Sequence, residues 1–274
     1  MISGLFFSHT SLSKEAETVA GNLLSRSALL DGCDVLSAKK LDQAIDLLGL
    51  SETVRFVWLY HEKGLELFDR TLAVKIKADF FGPTVSYRLR NGGGFGQMIA
   101  KAVGAKGQLL RIIDATAGLG TDALVLASLG CEVRLLERQP AVRALLSDGI
   151  KQATRFAANK DERLMETLSR MELLHEPTLD ELSEKDSWEP ADVIYLDPMF
   201  PKKSKQARVK KEMQVLQALV GEDDDADRLL ERALQCTPKR VVVKRPRVAP
   251  YLAGKTPSHS LLGKSNRFDV YIVH

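Results

Sequence analysis

The sequence has few cysteines and no long apolar run. Its 274 residues include three cysteines, Cys33, Cys131 and Cys236, which are far apart and odd in number. They form neither a CxxC metal pair nor a disulfide framework, as is typical of a protein from a reducing cytosol. No stretch approaches the ~20 apolar residues of a membrane span, and the first residues lack the basic flank of a signal peptide. We therefore expect a soluble, cytoplasmic protein without a membrane anchor.

An excess of one charge is also missing. The chain has 39 Lys and Arg residues against 36 Asp and Glu residues, a formal net charge of +3. This value is too small to indicate nucleic-acid binding by itself, so local clusters of charge must support that function. The five histidines are scattered without metal-ligand spacing, and we expect no metal. The apolar fraction of 45% predicts a folded core rather than disorder.

Residues 1–90 are predicted to form a small α+β domain. Apolar residues alternate with charged ones over 74–78, the period of a half-buried strand, and a turn-like segment at 61–64 separates two apolar runs. The predicted elements are a short strand at 5–7, helices after Ser13 and over 39–48, a hairpin of 56–60 with 65–68, and the strand at 74–78.

Residues 91–274 alternate between short apolar runs and amphipathic segments. This rhythm predicts an α/β domain with a doubly wound sheet. Strands are predicted at 109–115, 132–136, 171–174, 193–196 and 240–244, and helices at 97–103, 122–129, 140–158, 209–220 and 226–234. The last two strands, 258–262 and 268–273, are predicted to be antiparallel because the segment between them is too short for a crossover.

A glycine loop follows the first predicted strand of this domain. Gly118 and Gly120 allow the main chain to turn sharply and approach a ligand, and the next helix offers the N–H groups of Thr121 and Asp122. The pattern also fits the GxGxxA dinucleotide loop, so the glycines alone do not separate NAD from S-adenosylmethionine. Asp114 favours the latter, because its carboxylate would repel a pyrophosphate but can hold a methionine ammonium group.

Further candidate cofactor residues follow the next two predicted strands. Glu137 ends one strand, where its carboxylate can accept hydrogen bonds from both ribose hydroxyls. Arg138 beside it either lines the adenosine pocket or is a solvated charge. Thr178 either meets the adenine edge or caps a helix.

Asp197-Pro198-Met199-Phe200 stands at the end of the predicted strand 193–196. The Asp197 carboxylate and the Pro198 carbonyl are two acceptors for the hydrogens of an exocyclic amino group, and Phe200 can stack on a nucleobase. Two acceptors would aim the amine lone pair at an activated methyl group, so positioning and electrostatics supply most of the catalysis. The plain alternative is a turn at Asp-Pro with Phe200 in the core.

Several segments of the chain resemble the RsmJ family, bacterial enzymes that methylate a guanine N2 in small-subunit (16S) ribosomal RNA. The resemblance covers residues 65–274, and residues 1–64 are less typical. It implies a class I Rossmann-like methyltransferase fold, with S-adenosylmethionine contacts at Thr121, Asp122, Glu137, Arg138, Pro177, Thr178 and Asp197. Thr121 stands where an arginine is usual, and Pro177 replaces a small hydroxyl residue. The segments that carry the resemblance are 114–120, 136–138, 195–201, 209–213 and 239–246.

Basic residues cluster after Phe200 and again after the strand at 240–244. They are predicted to anchor RNA phosphates beside the target base, although a charge run is also compatible with a solvated face. The acidic stretch 222–227 is interpreted as a solvated turn and helix start. The candidate RNA-binding residues are Lys202, Lys203, Lys205, Arg208, Lys210, Lys211, Lys244 and Arg245.

The resulting prediction is an S-adenosylmethionine-dependent guanine-N2 methyltransferase acting on 16S ribosomal RNA or on the small ribosomal subunit. Three alternatives stay open at this point: an NAD-dependent oxidoreductase built on the GxGxxA loop, an amino-methyltransferase acting on another nucleic acid, and a catalytically silent RNA-binding module.

Overall fold

A computed structural model places the chain in two β-sheets with helices packed around them. The first sheet contains strands β1 (Ile2–Ser8), β2 (Val35–Ala38), β3 (Phe56–His61), β4 (Gly64–Asp69) and β5 (Val74–Ile76), in the order β2-β1-β3-β4-β5. The structure describes residues 2–8, 35–38, 55–61, 64–82, 85, 94–107, 109–175, 178–180, 191–199, 210–221 and 225–273. The two helices predicted within 13–48 lie outside these residues.

The first sheet combines parallel and antiparallel pairs. β1 runs parallel to both β2 and β3, whereas β3, β4 and β5 form an antiparallel meander. The predicted hairpin is confirmed, with Phe56 opposite Asp69 and His61 opposite Gly64.

The second sheet has seven strands in the order β11-β12-β10-β9-β6-β7-β8. The pairs among β6 to β10 are parallel, and β12 runs antiparallel to both β10 and β11, as the short final connection predicts. All four residues of the central strand β9 are buried, because helices cover both faces of the sheet. The strand bounds are β6 (Arg111–Asp114), β7 (Glu132–Leu135), β8 (Met171–Leu173), β9 (Val193–Leu196), β10 (Arg240–Pro246), β11 (His259–Leu262) and β12 (Asn266–Ile272).

Six α-helices of the described chain accompany the sheets. They are α1 (Met98–Val103), α2 (Thr121–Ser128), α3 (Pro140–Ala157), α4 (Glu162–Ser169), α5 (Lys211–Val220) and α6 (Ala226–Gln235). Helix α4 was not predicted from the sequence, and the other five match predicted helices within a few residues. In the described ranges, no helix combines the length and apolarity needed to cross a bilayer. Nor are three His, Cys, Asp or Glu side chains grouped there as metal ligands would be.

Helix α3 packs against both sheets. Ala141, Val142 and Leu145 lie in one core with Phe56, Trp58, Tyr60, Leu65 and Leu67 of the first sheet. Leu146, Ala153 and Ala157 of the same helix lie in the core of the second sheet. The buried Asp148 adds a polar link, since its carboxylate accepts a hydrogen bond of 2.7 Å from the backbone N–H of Leu65. Residues from both sides of the predicted boundary at residue 90 therefore pack together in both cores, and the division into two domains stays a prediction.

Candidate active site

A cavity of about 1100 Å³ opens at the carboxyl edge of the second sheet. It lies where β6 and β9 pair, and the chain continues from β6 toward β7 on one side and from β9 toward β10 on the other. Such a switch point is where open α/β sheets bind ligands. Most of the predicted cofactor residues line this one cavity: Asp114, Gly118, Thr121, Asp122, Glu137, Arg138, Thr178 and Asp197.

The glycine loop forms the cavity wall between β6 and α2. Gly118 and Gly120 have φ angles of 55° and 74°, in the left-handed region that favours glycine. A Cβ atom on Gly118 would have the carbonyl oxygen of Thr116 as its nearest neighbour, 3.9 Å away, so this glycine leaves space for a ligand. On Gly120, a Cβ atom would lie 2.8 Å from both Leu146 Cδ1 and Phe80 Cζ. Gly120 thus lets the loop pack against the core.

Glu137 fixes the loop from the neighbouring strand. Its Oε2 accepts from the backbone N–H of Gly118 at 2.8 Å, and its Oε1 accepts from that of Gln139 at 2.7 Å. These bonds hold the carboxylate at the cavity, which it lines and where a ribose diol would bind. Arg138 donates to both carboxylate oxygens of Asp225 at 2.7 Å, and both side chains line the cavity.

Asp114 is a buried acid at the end of β6. It is 2% exposed, and its Oδ1 accepts from the N–H of Thr116 at 3.1 Å. Burial raises the pKa of Asp114 well above its ordinary value; the Thr116 hydrogen bond opposes this shift, while the charges of Asp122, Asp197 and Glu137 add to it. A cavity in which carboxylates repel one another is complementary to a ligand that carries positive charge.

Asp197 follows β9 and lies beside the glycine loop, because β9 pairs directly with β6. The loop residue Thr116 positions it, because the Thr116 hydroxyl accepts a hydrogen bond of 2.6 Å from the Asp197 backbone N–H. Pro198 and Met199 also line the cavity. Burial raises the pKa of the Asp197 carboxyl; Lys244 opposes the shift and Asp122 adds to it.

Two of the basic residues predicted to bind RNA, Lys244 and Arg245, form hydrogen bonds within the protein. The Lys244 ammonium group lies inside the cavity, 2.8 Å from Asp197 Oδ2 and 2.7 Å from Asp122 Oδ2. Arg245 is only 3% exposed and donates to the carbonyl of Pro250 at 3.0 Å. Because successive residues of a strand face opposite sides, Arg245 points into the protein and away from the cavity that contains Lys244, and its RNA contact stays a prediction.

Lys210 and Lys211 are exposed where α5 begins, and Lys210 lines the cavity. Lys211 also donates to the carbonyl of Leu72 at 3.4 Å. Six predicted site residues lie outside the described part of the chain: Pro177, Phe200, Lys202, Lys203, Lys205 and Arg208.

Some residues of the cavity are not predictable from the sequence patterns. Tyr195 is fully buried on β9, and its hydroxyl donates to Asp122 at 2.8 Å. Asp225 belongs to the acidic stretch interpreted as a solvated turn, yet it pairs with Arg138 at the cavity. An aromatic inside an apolar strand gives no signal of a polar partner. The acidic run 222–227 gave only a weak signal that Asp225 has a partner at the cavity.

These features fit S-adenosylmethionine better than a dinucleotide. The ligand carries an ammonium and a sulfonium group, which suit the carboxylates of Asp114 and Asp197, and a ribose diol, which suits Glu137. A pyrophosphate at the same loop would meet the carboxylate at the end of β6.

Comparisons with known proteins agree with this assignment. The model of the family SAM_MT, described as SAM-dependent methyltransferase, matches residues 40–273. "Ribosomal RNA small subunit methyltransferase J" of Cellvibrio japonicus is 49% identical over 219 residues, covering 79% of this chain and 82% of the relative. The protein of the same name from Marinobacter nauticus is 42% identical over 258 residues, covering 93% and 88%.

A solved structure has the same fold. The crystal structure of a SAM-dependent methyltransferase from Neisseria gonorrhoeae is 31% identical, with a TM-score of 0.68, and the match covers 98% of this chain and 96% of that one. The fold is therefore the expected Rossmann-like methyltransferase fold, and the cofactor is S-adenosylmethionine rather than NAD. With this fold, this cavity and these relatives, the chain belongs to the ribosomal RNA small subunit methyltransferase J family of SAM-dependent methyltransferases.

Proposed function

We propose that the protein transfers a methyl group from S-adenosylmethionine to the exocyclic N2 amino group of a guanosine in 16S ribosomal RNA. One observation carries the proposal: Asp197, followed by Pro198, lines the same cavity as the glycine loop. The relatives in Cellvibrio and Marinobacter are named as methyltransferases of small-subunit ribosomal RNA, which supports this class of substrate.

For this methyl transfer, the main task of the protein is to position the guanine amino group. The lone pair of a guanine amino group is delocalised into the ring, so the group is a poor nucleophile until its hydrogens are held by acceptors. The Asp197 carboxylate and the Pro198 carbonyl are the acceptors proposed for this task. S-adenosylmethionine, when bound, supplies the electrophilic methyl group. Orientation and preorganised charge then provide most of the rate acceleration.

RNA contacts are proposed beside this cavity. Lys210 and Lys211 are exposed where α5 begins, and Lys202, Lys203, Lys205 and Arg208 precede them in the chain. Phe200 is proposed to stack on the target base, a contact worth ~1–3 kcal/mol in other proteins. Because ribosomal RNA is the proposed substrate, we infer that the protein works in the cytoplasm.

Analysis of the methylated nucleoside tests the proposal. The full chain is incubated with methyl-labelled S-adenosylmethionine and small ribosomal subunits, or naked 16S RNA, from cells that lack the protein. Chromatography and mass spectrometry of the digested RNA should then reveal labelled N2-methylguanosine. Labelled methyladenosine or methylcytidine would overturn the guanine assignment, and an absence of label in both RNA substrates would overturn the RNA assignment.

Replacement of Asp197 tests the proposed mechanism. Asp197→Ala and the isosteric Asp197→Asn should each lower kcat by about 100-fold or more, since one preorganised acceptor is removed from the reacting amine. Circular dichroism should show an unchanged fold. Glu172→Gln is the control, because Glu172 is an exposed acid on β8 that pairs with Arg134. Turnover of Asp197→Asn at the wild-type rate would refute the role of the carboxylate.

A further inference from the structure

The Lys244 ammonium group lies between two carboxylates in the cavity. It is 2.7 Å from Asp122 Oδ2 and 2.8 Å from Asp197 Oδ2, and the Lys244 side chain is 25% exposed. Asp122 also accepts from the Tyr195 hydroxyl at 2.8 Å. Strand β10, the N-terminus of α2 and the end of β9 thus meet in one hydrogen-bonded cluster.

The cluster engages one oxygen of Asp197. Within the described part of the chain, Lys244 is the donor found on this carboxylate, and it binds Oδ2. The Asp197 side chain remains 40% exposed, and the Thr116 hydroxyl holds its backbone N–H. Oδ1 is therefore the oxygen left to accept a hydrogen bond from a substrate.

We propose that Lys244 is a positioning residue for methyl transfer, which keeps the Asp197 carboxylate charged and oriented so that Oδ1 can accept a hydrogen of the substrate amino group. The inference rests on the proposed function, since it assigns a partner to the acceptor that this function requires. Lys244 acts through Asp197 and does not itself contact the reacting atoms.

The charges around Asp197 explain why it needs a cation. Asp122 on α2 and Asp114 at the end of β6 are acids that interact electrostatically with it, and the hydroxyl of Tyr195 on β9, whose pKa burial raises, is a neutral neighbour. Among the described residues, Lys244 is the cation that pairs with it. Partial desolvation in the cavity raises the pKa of Asp197, and a protonated carboxyl would donate a hydrogen bond where the amine needs an acceptor. Burial also lowers the pKa of Lys244, but Asp197 and Asp122 outweigh this effect and hold it above its ordinary value. Lys244 therefore stays charged at neutral pH.

The pH dependence of kcat tests the proposal, because the acid limb reports the group that must be deprotonated in the complex. The assay uses the full chain at saturating S-adenosylmethionine and RNA. In Lys244→Met, the acid limb should move to higher pH by about one pH unit or more, since a partnering charge at this distance changes a carboxyl pKa by that amount. At a pH below both limbs, kcat of the variant should then be about 10-fold lower than that of the wild type for each pH unit by which the limb moves. Lys244→Arg, which keeps the charge, should restore the limb toward its wild-type position.

A second variant should move the acid limb of the pH profile in the opposite direction. Asp122→Asn removes a carboxylate that raises the pKa of Asp197, so its acid limb should move to lower pH. Tyr195→Phe is the matched control: it removes a hydrogen bond from the same cluster without changing a charge, and its limb should stay in place. This pair keeps the test decisive if Lys244→Met does not fold.

The outcomes separate this inference from the proposed function. If Lys244→Met retains the wild-type acid limb, or if it folds and binds cofactor but is inactive at every pH, the role of Lys244 is overturned while the RNA assignment stands. A limb that moves to higher pH in Asp122→Asn would also overturn it. If wild-type protein methylates a base other than guanine, the proposed function fails, and the same profiles still decide the role of Lys244.

Discussion

The two glycines of the cofactor loop have different surroundings, although both adopt positive φ angles. Gly118→Ala should cost about 1–2 kcal/mol of stability from backbone strain alone. Gly120→Ala should cost that amount plus about 1–3 kcal/mol, because the new methyl group would overlap Leu146 and Phe80. Urea unfolding of the two variants measures the difference. Equal losses would contradict the packing role of Gly120.

Single residues also show how far the sequence predicts the site. Asp114, Glu137 and Asp197 were predictable because each follows a short apolar run, and the carboxyl ends of parallel strands meet at one edge of a sheet. Lys244 and Arg245 were assigned together to RNA, since a cluster of charge gives no side-chain direction. Strand alternation predicts that they face opposite ways. It does not predict that Lys244 pairs with two acids on other elements.

Helix α3 packs against both sheets, and Asp148 makes a polar contact between this helix and β4. Asp148→Ala should lower the free energy of unfolding by about 1–3 kcal/mol, because the buried N–H of Leu65 loses its acceptor. Hydrogen exchange should accelerate most at Leu65 and its neighbours in β4.

Asp161→Ala is the matched control for this element. Asp161 also accepts one backbone hydrogen bond, from the N–H of Leu164 at 2.9 Å, but it caps α4. The substitution should lower the free energy of unfolding by about 1 kcal/mol. It should not selectively accelerate hydrogen exchange at Leu65. Equal exchange at Leu65 in both variants would show that Asp148 does not fasten the first sheet.

Some helices and strands are easier to predict from their sequences than others. The antiparallel strands β11 and β12 were predictable because a short connection leaves no other pairing. Helix α4 was missed, since eight residues carry only Leu164, Thr167 and Leu168 as buried positions, although Asp161 offered a capping signal. The parallel pairing of β1 with β3 joins strands about 50 residues apart in the chain. Local patterns contain no information about such a contact.

For the whole molecule, a net charge of +3 gives little general attraction to RNA. Binding must then depend on where the positive charges lie. The basic residues after Phe200 follow the strand that ends at the cavity, whereas Lys106, Lys160 and Lys239 are exposed in segments at the opposite edge of the second sheet. The chain therefore offers two sets of three lysines at different places in the chain, and in the second set Lys239 pairs with Asp192 at 2.8 Å.

Exchanging each set for glutamine removes three positive charges and separates local contact from net charge. Replacing Lys202, Lys203 and Lys205 should weaken binding to 16S RNA and reduce the slope of log K against log salt by about 0.7 per lost phosphate contact. Replacing Lys106, Lys160 and Lys239 should leave the slope near its wild-type value, because these side chains are remote from the cavity. Filter binding over a range of potassium chloride concentrations measures both slopes. Equal reductions would mean that RNA responds to the charge of the whole protein, and the basic segment beside the cavity would lose its assigned role.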